Sequence, residues 1–126
     1  MTEDKSFKFT ARLSSFRYAF RGVRVMLLTQ HNAWVHLSFT VGVFIAAFLF
    51  QVSADEWCWL ILAMMSVWTT EALNTALEFV CDVVSPEFHS GVEKAKDVAA
   101  ASVLLSALGA TAIGVIVFGP RIFGLM

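Results

Sequence analysis

The sequence predicts an all-α integral membrane protein: an amphipathic helix on the membrane surface followed by three transmembrane helices, in a single domain spanning residues 1–126. Three observations predict it. The chain is 58% hydrophobic with a mean hydropathy of +0.72. Charged residues make up only 15%, against roughly 25% in soluble domains. The basic residues are also clustered, with six of the nine Lys and Arg lying before Gln30. At this size one copy has too few spans to enclose much of a cavity, so oligomerisation is expected.

In the first 30 residues, Phe9, Leu13, Phe16, Phe20, Val23 and Leu27 share one helical face. Lys8, Arg12, Arg17, Arg21 and Arg24 fall largely off it. A basic helix over residues 1–30, lying on an anionic membrane surface, fits this pattern. Arginines interrupt the apolar residues throughout, which argues against a cleaved signal peptide. No separate soluble domain follows, which argues against a nucleic-acid-binding arm, and no nucleic acid is expected as partner.

The first transmembrane helix is expected over residues 34–52, which contain no Asp, Glu, Lys or Arg. At 1.5 Å per residue this segment covers roughly the 30 Å hydrocarbon core. The tetrapeptide "SADE" reads as a short connection, and a second transmembrane helix follows over residues 57–84. Ser85 and Pro86 then stop that helix and open a polar connection reaching Asp97. A third transmembrane helix is expected over residues 99–118, where Ala99, Ser102, Ser106, Gly109 and Gly114 favour close helix packing.

Charge sets the orientation. Lys94 and Lys96 lie in the second connection, and residues 53–56 hold no basic residue. The positive-inside rule places the N-terminus and the 85–97 segment in the cytoplasm and the C-terminus outside. Trp57 and Trp59 then sit in the outer interfacial belt and Trp34 near the inner one. Cys58 and Cys81 stand about 34 Å apart along one helix, too far to pair within a chain. His31, His36 and His89 make no recognised zinc spacing with them, so both thiols read as structural.

The second transmembrane helix carries "EALNTALEFVCD", residues 71–82. Glu71, Asn74, Glu78 and Asp82 project within a sector of roughly 80° at about 100° per residue. Ionisable groups near a bilayer centre each cost roughly 2.5 to 3.5 kcal/mol on insertion scales, so such a stripe marks a buried site facing other helices. An interhelical seam would suit Asn74, but three carboxylates repel one another unless a cation is present. Outward of Glu71 no ionisable residue follows in this helix until Glu56, which disfavours a channel or transporter pathway.

Instead the stripe opens toward Glu87, His89, Lys94, Lys96 and Asp97. Carboxylates and lysine at a membrane interface suit phosphoryl transfer to a lipid hydroxyl. A base takes the hydroxyl proton, carboxylates hold magnesium, and a cation offsets charge on the transferring group. No Walker loop or protein-kinase glycine loop occurs. Two rivals from other classes share parts of this pattern, a nonenzymatic membrane assembly subunit and a proton-coupled transporter, and neither requires magnesium-dependent ATP binding.

"EALNTALEFVCD", then "SPEFH" and "KAKDVAAASVLL", with "SFRYAFRG" at residues 15–22, resemble the signature of the prokaryotic diacylglycerol kinase family, which includes the undecaprenol kinases. The resemblance covers nearly the whole chain. It implies a homotrimer of three-span subunits in the bacterial inner or cytoplasmic membrane, with active sites at subunit boundaries using magnesium ATP. By motif position it implies that Glu71 is the general base and that Asn74 helps position the lipid. It further implies that Glu78 is a metal ligand and that Asp82, Lys96 and Asp97 organise the phosphates and metal. Glu87 and His89 would contact the nucleotide, with Arg12 and Tyr18 near it.

One position departs from the family pattern. Gln30 stands where the family usually has a glutamate thought to be a second metal ligand. An amide oxygen coordinates magnesium without supplying charge, so lower metal affinity or a water-mediated contact is expected. Asn32 and His36 resemble the Asn-x-x-x-His of the polyprenol-using branch, which favours undecaprenol over diacylglycerol as substrate.

Overall fold

The computed structural model describes residues 9–124; residues 1–8 of the expected surface helix, with Lys8, lie outside the described residues. Its elements are α1 (Phe9–Thr29), α2 (His31–Leu49), α3 (Ala54–Val84) and α4 (Ser90–Ile122). The last three are each long and apolar enough to cross a membrane.

Helix ends differ from the sequence expectation at both connections, and for the same reason. "SADE" is a helix start rather than a loop: Ser53 Oγ accepts from the Glu56 N–H at 3.2 Å while Glu56 Oε1 accepts from the Ser53 N–H at 3.1 Å. This reciprocal cap satisfies two backbone donors at the start of α3 and places Asp55 and Glu56 in its first turn, where the helix dipole favours acids. The polar segment after Ser85 likewise stays irregular only as far as His89. There His89 Nδ1 accepts from the Gly91 N–H at 3.1 Å and caps α4. Lys94, Lys96 and Asp97 therefore stand on a helix, and α4 extends beyond 99–118 at both ends. Polarity marked where each helix changes surroundings, and good helix formers such as Glu, Ala and Lys carry the backbone further.

The tightest interhelical packing joins α3 to α4, with lighter contact between α2 and α3. At one end of the bundle Ala47, Val52, Leu60 and Val117 form a buried cluster, with Trp57 and Phe118 against it. Trp57 meets Phe48 edge to face at 4.9 Å between ring centroids and Phe44 at 5.9 Å. Cys58 and Cys81 are both free thiols, the first exposed and the second buried.

Gln30 separates α1 from α2. Its extended backbone, φ −111° and ψ 114°, breaks helical geometry for one residue. The joint is tied by Gln30 N–H donating to the Met26 carbonyl at 2.9 Å and by Trp34 Nε1 donating to the Leu27 carbonyl at 2.7 Å. Met26 is the buried residue of α1, whereas Phe9, Leu13, Phe16 and Phe20 are all exposed.

Candidate active site

The polar stripe of α3 runs from buried to exposed. Glu71 is 1% exposed and Asn74 9%, Glu78 is half-buried, and Asp82 is exposed. One helix face thus carries acceptors from the protein interior to its surface.

At the buried end, Glu71 Oε2 and Asn74 Oδ1 are both enclosed without a hydrogen-bond partner among the described residues. His36 Nε2 on α2 comes within 3.4 Å of Glu71 Oε2 but is not aimed for a hydrogen bond. Thr75 Oγ1 donates to the Glu71 backbone carbonyl at 2.9 Å and so leaves the carboxylate free of that contact. Buried polar atoms are ordinarily paired, because each orphan costs about 1–3 kcal/mol. An arrangement that retains two such oxygens side by side on one helix is suited to a donor or a cation arriving with substrate.

At the exposed end a cation is already in place. Lys96 Nζ on α4 donates to Asp82 Oδ1 at 2.7 Å, bridging the two helices. Asp97 follows Lys96 and is exposed. Glu87 and His89 occupy the connection between α3 and α4, both exposed; the Glu87 carbonyl accepts from Ser85 Oγ at 3.0 Å, and His89 is engaged in capping α4.

Across α3 from this connection lies α1. Tyr18 and Arg21 line a cavity of about 430 Å³ with Ala72, Thr75, Ala76 and Phe79 of α3. The Arg21 guanidinium sits 5.6 Å from the centre of the Tyr18 ring, a cation–π distance. Arg12 is exposed on the same helix, and Asn32 is exposed in the first turn of α2. The Gln30 side chain makes no cap; its Nε2 reaches Thr29 Oγ1 at 3.4 Å.

Of the residues expected from sequence, contacts join His36 to Glu71 and Lys96 to Asp82. Among the described residues no group of three or more His, Cys, Asp or Glu side chains forms a metal cage. Magnesium does not require one, since it is commonly held by one or two carboxylates with phosphates and water completing the shell. The hard oxygen donors of Glu78 and of the stripe on either side of it fit that ion.

Two neighbours of the site carried no sequence expectation. Trp68 Nε1 donates to Thr40 Oγ1 at 2.9 Å, and Thr40 Oγ1 donates to the His36 carbonyl at 2.7 Å. Their signal was spacing alone: Trp68 precedes Glu71 by three residues and Thr40 follows His36 by four, each on the same helix face as its partner.

The sequence matches the family model described as prokaryotic diacylglycerol kinase over residues 17–118. It is 40% identical over 115 residues to a protein of Synechocystis sp. named diacylglycerol kinase, an alignment covering 90% of this chain and 66% of that protein. It is 32% identical over 108 residues to a protein of Bacillus subtilis named undecaprenol kinase, covering 86% of this chain and 88% of that one. The aligned chain thus spans just under two thirds of the cyanobacterial relative and most of the Bacillus one. With the matched region running from within α1 to within α4 and enclosing the whole α3 stripe, the chain belongs to the prokaryotic diacylglycerol kinase family, a family of multi-pass membrane lipid kinases.

Proposed function

We propose that the protein transfers the γ-phosphoryl group of ATP to the hydroxyl of a membrane lipid, undecaprenol in preference to diacylglycerol, giving undecaprenyl phosphate. The observation that carries this reading is the buried Glu71 carboxylate, whose Oε2 has no hydrogen-bond partner among the described residues and stands 3.4 Å from His36. A carboxylate that is enclosed but unsatisfied can accept a proton from an entering hydroxyl.

In this reading Glu71 takes the hydroxyl proton as the lipid oxygen bonds to the γ-phosphorus and the bond from that phosphorus to the ADP oxygen breaks. Asn74 lies one turn nearer the cytoplasmic end and orients the acceptor. Glu78, with Gln30 as the second and uncharged ligand, would hold magnesium, which when bound offsets the negative charge of the phosphates. Lys96, kept in place by Asp82, supplies positive charge from the protein itself. Asp97, Glu87, His89, Arg12 and Tyr18 surround the nucleotide.

Several further features support the setting. The exposed row of Phe9, Leu13, Phe16 and Phe20 suits a helix resting on lipid, with its arginines toward phosphate headgroups. The basic N-terminal segment, Lys94 and Lys96 favour a cytoplasmic active site in the bacterial inner membrane, with the C-terminus outside. Asn74 Oδ1, which has no hydrogen-bond partner among the described residues, favours sites completed at subunit boundaries, and the sequence resemblance supports a homotrimer as the assembly.

Undecaprenol is supported by Asn32 and by His36, which reaches the proposed base. The diacylglycerol reading is supported by the 40% identity to the cyanobacterial protein of that name. Purified protein with magnesium ATP, assayed against both lipids in mixed micelles, tests the assignment. A higher kcat/KM for undecaprenol is expected. Preference for diacylglycerol would overturn the substrate, and failure to phosphorylate either lipid, together with no magnesium-dependent ATP binding, would return the assembly-subunit and transporter readings.

A further inference from the structure

Beside the polar stripe, a second line of contacts runs between α2 and α3. Trp68 donates its indole N–H to Thr40 Oγ1 at 2.9 Å, and the Thr40 hydroxyl proton is committed to the His36 carbonyl at 2.7 Å. A hydroxyl has one proton to give and lone pairs to receive, so both bonds are satisfied together and run in one direction, from indole to hydroxyl to carbonyl. The bond back to the His36 carbonyl holds the Thr40 hydroxyl in one rotamer, which fixes the acceptor the indole meets. The Trp68 ring also stands edge-on to the His36 imidazole, with centroids 6.3 Å apart and planes at 67°. The next polar contact along this interface is His36 Nε2 to Glu71 Oε2, at 3.4 Å.

These contacts fall where the bundle has least else to define its geometry. Helix α2 packs far more lightly on α3 than α4 does, and the buried apolar cluster that includes α2 centres on Ala47, near the other end of that helix. At the His36 level α2 meets α3 through Thr40 Oγ1 beside Met64 Sδ at 3.8 Å and through the His36 and Trp68 rings, and the Trp68 to Thr40 bond is the directional contact among these. A slip of α2 there carries the imidazole away from Glu71.

We infer that Trp68 is a positioning residue for phosphoryl transfer, holding α2 through Thr40 so that the His36 ring stays beside Glu71 and bounds the space in which its carboxylate meets the lipid hydroxyl. The inference rests on the reading of Glu71 as the base. Misplacement of a reacting group by about 1 Å can cost on the order of 100-fold in rate, so the partial loosening expected from losing one hydrogen bond should lower kcat roughly 10-fold.

The test uses the full chain in mixed micelles with magnesium ATP and whichever of undecaprenol or diacylglycerol the wild type phosphorylates. Trp68→Phe keeps an aromatic ring and removes the N–H. Thr40→Val keeps the side-chain shape and removes the acceptor, and it carries the test if Trp68→Phe does not fold. Each should lower kcat about 10-fold with KM for ATP unchanged. The double variant should fall no further than the singles, because both remove the same bond. Thr40→Ser, which keeps the hydroxyl, should retain wild-type kcat. Wild-type kcat in Trp68→Phe and Thr40→Val, with only a lower melting temperature, would overturn the positioning role, as would additive losses in the double variant. Full turnover in Glu71→Gln would instead remove the base on which the inference rests, so the two failures are distinguishable.

Discussion

Arg121 grips Glu56 with both guanidinium nitrogens, Nη1 to Oε2 at 2.6 Å and Nη2 to Oε1 at 2.7 Å. The pair ties the first turn of α3 to the last turn of α4 across 65 residues of chain. Thr70 and Ser106 meet at 2.8 Å midway, and Asp82 and Lys96 at 2.7 Å near the other end. Three polar contacts at matched steps along two antiparallel helices fix their register, and that register is what brings Lys96 to the stripe.

Removing the far clasp should loosen the helix pair without touching the chemistry. Glu56→Ala and Arg121→Ala are each expected to lower the melting temperature in detergent, because a planar two-bond carboxylate contact is lost, and Glu56→Ala should lower it further because the cap on the Ser53 N–H goes with it. The double variant should melt close to Glu56→Ala, since the two residues share the bridge and only Glu56 also caps α3. Additive destabilisation would show that the bridge is not the contact through which Arg121 stabilises the bundle.

Glu71→Gln keeps the size of the side chain and removes its basicity. Phosphorylation should fall by about 10² to 10⁴, the usual range for loss of a general base. Oligomer size and magnesium ATP binding should persist, because Glu71 sits at the buried end of the stripe, away from Lys96. Near-normal turnover in folded protein would rule out the base assignment.

Glu78→Ala tests the metal. Glu78 is half-buried between the enclosed Glu71 and the exposed Asp82, and among the described residues no cage of other carboxylates stands ready to replace it. Most magnesium-dependent nucleotide affinity should disappear, which titration of nucleotide with and without magnesium would read. Equal affinity in variant and wild type under both conditions would place the metal elsewhere.

Periodicity in the sequence was enough to place the three apolar helices and the α3 stripe, because both depend on spacing along one helix. Contacts between helices were less legible. The pairing of Glu56 with Arg121 depends on how far α4 extends, and its start was obscured by the polar run from Ser85 to Asp97. Lys96 reaches Asp82 only because that run is already helical at Ser90. Trp68 and Thr40 were hidden for a different reason: an indole and a hydroxyl within apolar helices read as packing until the fold brings donor and acceptor together. His36 was singled out in the sequence by its spacing from Asn32, but its approach to Glu71 was not legible there, since it depends on how α2 sits against α3.

Gln30 offers the sharpest test of the proposed metal site. It stands at the break between α1 and α2 with an uncapped side chain, and its amide nitrogen reaches Thr29 Oγ1 only at 3.4 Å, a weak tie that leaves the side chain able to turn. If Gln30 holds the second ligand position, Gln30→Glu adds a negative charge near the metal held by Glu78. Attraction for a divalent cation rises with ligand charge, so the half-saturating magnesium concentration for activity should fall. The same charge repels ATP phosphates when magnesium is scarce, which should steepen the response at low metal. The shape of the magnesium curve is therefore the measurement, with maximal rate as a secondary reading. A half-saturating concentration unchanged within error would place Gln30 outside the coordination shell and leave the metal to Glu78, the phosphates and water.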